Sequence, residues 1–189
     1  MIQRLRHVID RAKRFGQDRR GATLVEFSFV VPILTFITLA SIELGRYAIL
    51  NQKLTNAATS LAELAARDGT ITAAQLDSMF AIVPNLTQPY DFANDGVAIV
   101  TSIIAPVDDA PEVAWQRSGG GTLVATSTIG TPGNSATIPS TLPTRAGDTI
   151  IAAEVVFDFH PIFNILLSEQ TMRKSTYVRP RIGTLDTLD

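Results

Sequence analysis

The stretch ATLVEFSFVVPILTFITLASI, residues 22 to 42, carries one charge, Glu26. A carboxylate at the centre of a membrane helix costs about 2.5 to 3.5 kcal/mol on insertion scales, so its place calls for a physical reason. One reason is local. Acidic side chains favour the first turn of a helix, where the backbone dipole is positive, and a residue near the membrane surface reaches water. A second reason involves chemistry at a neighbouring bond. Hydrolysis after Gly21 makes Ala22 a new, positively charged N-terminus, about one helical turn before Glu26. Glu26 can then neutralise such an ammonium on a neighbouring subunit. Gly21 has no side chain and fits a tight protease cleft that a branched residue would not enter.

Little else in the chain has the types and spacing for chemistry. There are two histidines, His7 and His160, and no cysteine. Thiol chemistry and cysteine-based metal sites are therefore excluded. The two histidines fall on opposite sides of the expected membrane and cannot share a metal. No nucleophile elbow, H-E-x-x-H or phosphate loop occurs. Ser118-Gly119-Gly120-Gly121-Thr122 lacks the lysine of a phosphate cradle and reads as a flexible loop. Asp108-Asp109 reads as a solvated turn, since calcium needs more oxygen ligands. Asn85-Leu86-Thr87 has the form of a glycosylation acceptor, a triplet that arises often by chance. Trp115 reads as core or sheet surface. No catalytic residue, metal site or cofactor is assigned, and the chain is not expected to be an enzyme.

The elements that position Glu26 begin with charge. The 189 residues carry a formal net charge of -2. Residues 1 to 20 hold seven Lys or Arg, ending in Arg19-Arg20, and two acids; the remainder holds nine Lys or Arg and sixteen acids. Positive flanks stay on the cytoplasmic side of a membrane. Residues 1 to 21 are thus expected as a basic cytoplasmic leader, with Arg19 and Arg20 setting topology, and residues 22 to 43 as the span. About 20 apolar residues suffice to cross. A buried helix of a soluble protein would show a polar face. A secretory signal would have a shorter apolar core and a cleavage site after it, whereas Glu43-Leu44-Gly45-Arg46 follows here. Beside a membrane, the basic head suits anionic lipid rather than nucleic acid.

The helix is expected to run on through residues 44 to 69. Leu50, Leu54, Ala57, Leu61, Leu64 and Ala65 recur at spacings of three and four, and Asp68-Gly69 stops it. Glu43 and Arg46, three apart, are placed to pair. The length from Ala22 to Arg67 is about 70 Å at 1.5 Å per residue. Residues 70 to 189 form an extracytoplasmic α+β domain. Thr72 to Gln75 is a capping box opening a helix closed by Pro84. Strands are expected at 97 to 107, 111 to 117, 148 to 161 and 171 to 181. A short strand is expected near Leu123 to Ala125, within a Gly/Ser/Thr/Pro-rich loop, and a helix at 161 to 168. On the last strand Met172, Lys174, Thr176 and Val178 share a face. The fold class is α+β: a long N-terminal helix laid on an antiparallel sheet of about four strands.

Arg19-Arg20-Gly21, then four residues, then Glu26-Phe27 and an apolar run resembles the class III signal of type IV pilins, in the form of the Flp/Tad subclass. The segment from Pro32 to Thr72, the helix ITAAQLDSMFAIVP, VAWQR and the strand near Arg179-Pro180-Arg181 resemble the TadE/TadF minor pseudopilins. That resemblance implies cleavage between Gly21 and Ala22 by an inner-membrane prepilin peptidase. It also implies assembly with other pilin or pseudopilin subunits and the assembly platform of an adhesive Flp pilus. Glu26 and Phe27 become the fifth and sixth residues of the mature chain. Major subunits of that system are little more than the helix, so a body of over 100 residues points to a minor one. The metal motif D-x-S-x-S of a third relative, TadG, is absent. The alternative is an unprocessed single-span envelope protein whose outer domain binds other envelope or secretion components. In either case a periplasm-specific reporter fused after Asp189 is expected to be active. Activity of a cytoplasm-specific reporter at that point would reverse the topology.

Overall fold

The computed structural model describes residues 20–106 and 110–189. The leader to Arg19, with His7, and the Asp108-Asp109 turn lie outside the described residues. Helix α1 runs Arg20–Ala65, two residues earlier at each end than the sequence suggests, which is within the usual blur of helix boundaries. Pro32 sits inside it and lacks the N–H that would bond one turn back. Leu50, Leu54, Ala57, Leu61 and Ala65 are all buried, joined by Ala58 and Ala62. Leu64 is not part of the buried stripe; it lies at its edge, 37% exposed.

Three short helices follow: α2 (Ala73–Phe80), α3 (Val83–Thr87) and α4 (Phe92–Asp95). The Thr72 capping box is present, its hydroxyl accepting from the Gln75 amide and the Gln75 side chain accepting from the Thr72 amide. Pro84 does not close α2. It lies in the first turn of α3, where its missing N–H would be unpaired in any case. Thr87, of the Asn85-Leu86-Thr87 triplet, is buried with its hydroxyl on the Val83 carbonyl.

The sheet contains β1 (Gly96–Ile104), β2 (Glu112–Gly119), β3 (Thr149–Phe159) and β4 (Gln170–Val178). All three pairings are antiparallel, in the order β2-β1-β3-β4. The four expected strands are present. The last stops at Val178, because Pro180 has no donor and Arg181 turns to bond the Ala66 carbonyl. Helix α1 lies along β3 and β4 and runs the same way as β4: Thr59 meets Thr176, and Ala66 meets Arg181. Met172, Thr176 and Val178 point to the helix, as their alternation predicts.

Strand β3 is buried on both faces. Ile151, Ala153, Val155, Phe157 and Phe159 pack under α1. Ile150, Ala152 and Val156 face away from it, with Ile103, Val113, Ile129, Val97 and Ile99. The segment 120–148 covers this second face. Leu123 and Ala125 pack there but form no strand, because the chain crosses the sheet face and cannot join a ladder at its edge. Gly119 to Gly121 are not slack. Gly120 has φ +84°, and a Cβ on Gly121 would lie 2.2 Å from the Gly96 carbonyl oxygen.

Glu154, fully buried on β3, fastens this cover. It accepts from the Ser127 hydroxyl, from the Thr128 amide at 3.1 Å and hydroxyl at 2.7 Å, and from the Arg173 guanidinium at 2.8 Å. Arg173 also donates to the Thr126 carbonyl. Removing one member of a buried charged pair leaves the other uncompensated, at about 3 to 5 kcal/mol. Glu154→Ala is therefore expected to destabilise the body by about 3 kcal/mol, read by denaturant unfolding of the detergent-solubilised chain. Proteolysis should then strike first within residues 120 to 148. An unchanged midpoint would mean that the cluster contributes nothing.

Candidate functional site

Along the first half of α1 the large apolar side chains face outward in the described chain. Leu24, Val25, Phe27, Phe29, Val31, Ile33, Leu34 and Ile37 are all more than half exposed. The helix is long and apolar enough to cross a membrane, with a mean hydropathy of 2.0 over its most apolar window. Its polar side chains are mostly satisfied within the helix. Thr35, Thr38 and Ser41 donate to the carbonyls of Val31, Leu34 and Ile37, at 2.9, 2.8 and 2.7 Å. Such back-bonding suits an apolar solvent.

Glu26 and Phe27 lie on this stretch, exposed in the isolated chain. Gly21 and Ala22 lie in the first helical turn. Among the described residues, apart from its own helix turn, nothing stands within 4 Å of where a Gly21 Cβ would be. Arg20 begins the helix, and Arg19 lies outside the described residues. Gly21, Ala22, Glu26 and Phe27 are thus brought together by one element, within two turns of helix.

The first contacts with the body come at Ala40 and Glu43, which are 6% and 2% exposed. Glu43 does not pair with Arg46. Its Oε1 accepts from the amides of Phe163 and Asn164, at 3.2 and 2.9 Å, and its Oε2 from those of Ile165 and Leu166, both at 3.2 Å. Residues 161 to 168 are consequently not the helix their composition suggests. Asn164 adopts φ +52°, and four successive N–H groups turn inward onto one carboxylate. Arg46 instead lies over the Tyr90 ring, 5.8 Å from its centre, and the Tyr90 hydroxyl donates to the Arg46 carbonyl at 2.6 Å. Tyr47 meets Phe159 edge-on at 5.5 Å. The helix is clamped where it enters the body.

Sequence reasoning missed this clamp. The available signal was spacing: Glu43, Tyr47, Leu50 and Leu54 fall on one helical face, so a carboxylate at 43 points toward the body. Trp115 is core, as read, and its indole donates to the Leu185 carbonyl at 2.9 Å. His160 Nδ1 lies 3.3 Å from Glu169. Among the described residues, no group of three or more His, Asp or Glu is arranged to hold a metal ion.

Residues 21–63 match the family model of TadE-like proteins. The TadE-like segment opens at Gly21 and includes the whole exposed apolar stretch, Glu43 and most of the stripe that packs on the sheet. It stops before α2, so the sheet body lies outside it. No curated protein and no solved structure matches the chain.

The clamp makes a local prediction. In Glu43→Ala the amides of Phe163 to Leu166 lose their shared acceptor. Their hydrogen exchange is expected to quicken on the order of tenfold or more, while amides in the centre of β3 stay protected. Glu43→Gln keeps one acceptor oxygen and should fall between. Equal exchange in parent and Glu43→Ala would show that the loop holds itself.

Proposed function

We propose that the chain is a minor pseudopilin that takes part in assembling a Flp/Tad adhesive pilus, cut between Gly21 and Ala22 by a prepilin peptidase. The observation that carries this reading is the TadE-like match over residues 21–63, on a helix whose first half is apolar and bare and whose second half is the spine of a sheet domain. In this reading the leader stays in the cytoplasm, the span sits in the bacterial inner membrane, and the body lies outside the cytoplasm. Other pilin or pseudopilin subunits and the assembly platform are the partners. The Gly21–Ala22 bond lies near the N-terminal end of the described helix, and helix ends open more readily than helix centres; a protease needs that opening.

Glu26 acts in assembly rather than in cleavage. After cleavage the Ala22 ammonium stands about one turn from it along the helix. Across subunits the two charges compensate each other in a medium where either alone is costly. The net gain of the pair is small, because both groups lose water. Loss of one partner has the larger effect, of order 3 to 5 kcal/mol when fully buried.

Three variants test this. Gly21→Leu should retain the leader, seen as intact mass. Glu26→Ala should be inserted and cut normally but fail to join other subunits or support adhesion. Glu26→Gln, which keeps size and loses charge, should behave like Glu26→Ala. Native protein that begins at Met1 in piliated cells would favour the unprocessed single-span envelope protein instead. Assembly and adhesion by both Glu26 variants would leave Glu26 a helix-end carboxylate only.

A further inference from the structure

The loop held by Glu43 presents an apolar face to solvent. Residues 161 to 168, PIFNILLS, contain no charge. Ile162, Phe163 and Leu166 are 61, 39 and 51% exposed, while Leu167 packs against the core. The flanking His160 and Glu169 are partners of each other. A set of large apolar side chains beside one another is unusual on a surface bathed only by water.

The height of this loop along α1 is known from its hydrogen bonds. From Ala22 to Glu43 the helix rises about 32 Å, and the hydrocarbon core of a bilayer is about 30 Å thick. Glu43 therefore falls where the helix leaves the hydrocarbon, and its four amide donors put residues 163 to 166 at that level. Ile42 and Leu44 on the helix are exposed there too.

We propose that the loop 161–168 is a second membrane contact, with Ile162, Phe163 and Leu166 seated in the interfacial layer of the bilayer that the chain's own helix crosses. The inference rests on the single-span reading of α1. Two contacts, the span and the loop, are joined by Glu43 and hold the body against the membrane at one orientation. A buried carboxylate at the membrane surface is tolerated because the loop's own backbone neutralises it. The contact is apolar, so it needs no anionic lipid. A second copy of the chain is a poorer occupant: a stable protein interface buries about 800 Å² per partner, more than these three side chains supply.

The chain lacks cysteine, so single cysteines report single sites. The full chain is reconstituted in phosphatidylcholine vesicles with an environment-sensitive fluorophore on Phe163→Cys, Leu166→Cys, Leu34→Cys or Ala146→Cys. Leu34 lies in the span, and Ala146 is exposed in the turn before β3, at the opposite end of the sheet. Lipids spin-labelled near the headgroup are expected to quench the labels at 163 and 166 several-fold more than that at 146. Aqueous iodide should show the reverse order. Iodide access at 163 equal to that at 146 would overturn the proposal. So would protection from iodide without lipid quenching that rises with protein density, which would mark a contact between copies. Lipid quenching at 34 separates the two levels. If the label at 34 is buried in lipid and 163 is not, only the loop contact fails. If neither is, the single-span reading fails with it.

Discussion

Leu50, Leu54, Ala57 and Leu61 of helix α1 are sealed under the sheet, while the twenty residues before Glu43 are almost bare. One continuous helix therefore has to satisfy two solvents. Below Glu43 the stripe is narrow and built from leucine and alanine, which lets β3 and β4 come close. Above it the circumference is mostly apolar; Thr35, Thr38 and Ser41 bond back to their own helix, and Glu26 is the one charge between residues 22 and 42. A helix is the one element that can make this passage, because its backbone groups are paired within the segment wherever it lies. The sheet then assembles around the half that water would not otherwise tolerate.

The body is closed on its other side by loop rather than helix. Strand β3 is central, with β1 and β4 as its neighbours. Its outward face would expose Ile150, Ala152 and Val156 if nothing lay over it. The Gly- and Pro-rich segment 120–148 does so, with Ile129, Leu123 and Ala125 as its apolar contacts. Such a cover has few backbone pairs of its own. The buried Glu154, held by Ser127, Thr128 and Arg173, supplies the directional bonds that place it. The C-terminal segment does related work at the sheet's far end, where the Leu185 carbonyl accepts from both Trp115 and Ser102.

Two buried carboxylates thus have parallel roles. Glu43 gathers four backbone amides from the β3–β4 connection, and Glu154 gathers donors from the β2–β3 connection. Each holds an irregular segment against a regular element, and each does so because an ionised carboxylate has about four acceptor positions to fill. Glu26 differs. It sits on the bare half of the helix, where the described residues of this one chain leave it exposed. That contrast is why its compensation is sought in a neighbouring subunit.

Local pattern was enough for the helix, its apolar stripe, the Thr72 capping box and the four strands, because periodicity and turn chemistry act over a few residues. The same local signals put Gly21, Ala22, Glu26 and Phe27 on one helix, which depends only on their places along the chain. Residues 161 to 168 show the limit. Their composition suits a helix, but the Glu43 carboxylate, 120 residues earlier at its first contact, draws their amides away from helical pairing. Glu43 in turn has Arg46 within one turn and yet bonds the loop, since the helix face that carries it is pressed to the body. Likewise β3 is a nearly continuous apolar run, TIIAAEVV, which calls for cover on both faces, but only the fold shows that residues 120–148 return over the sheet to cover the second. Contacts between distant parts of a chain leave no period behind, so the tertiary structure alone decided where the two buried charges are compensated.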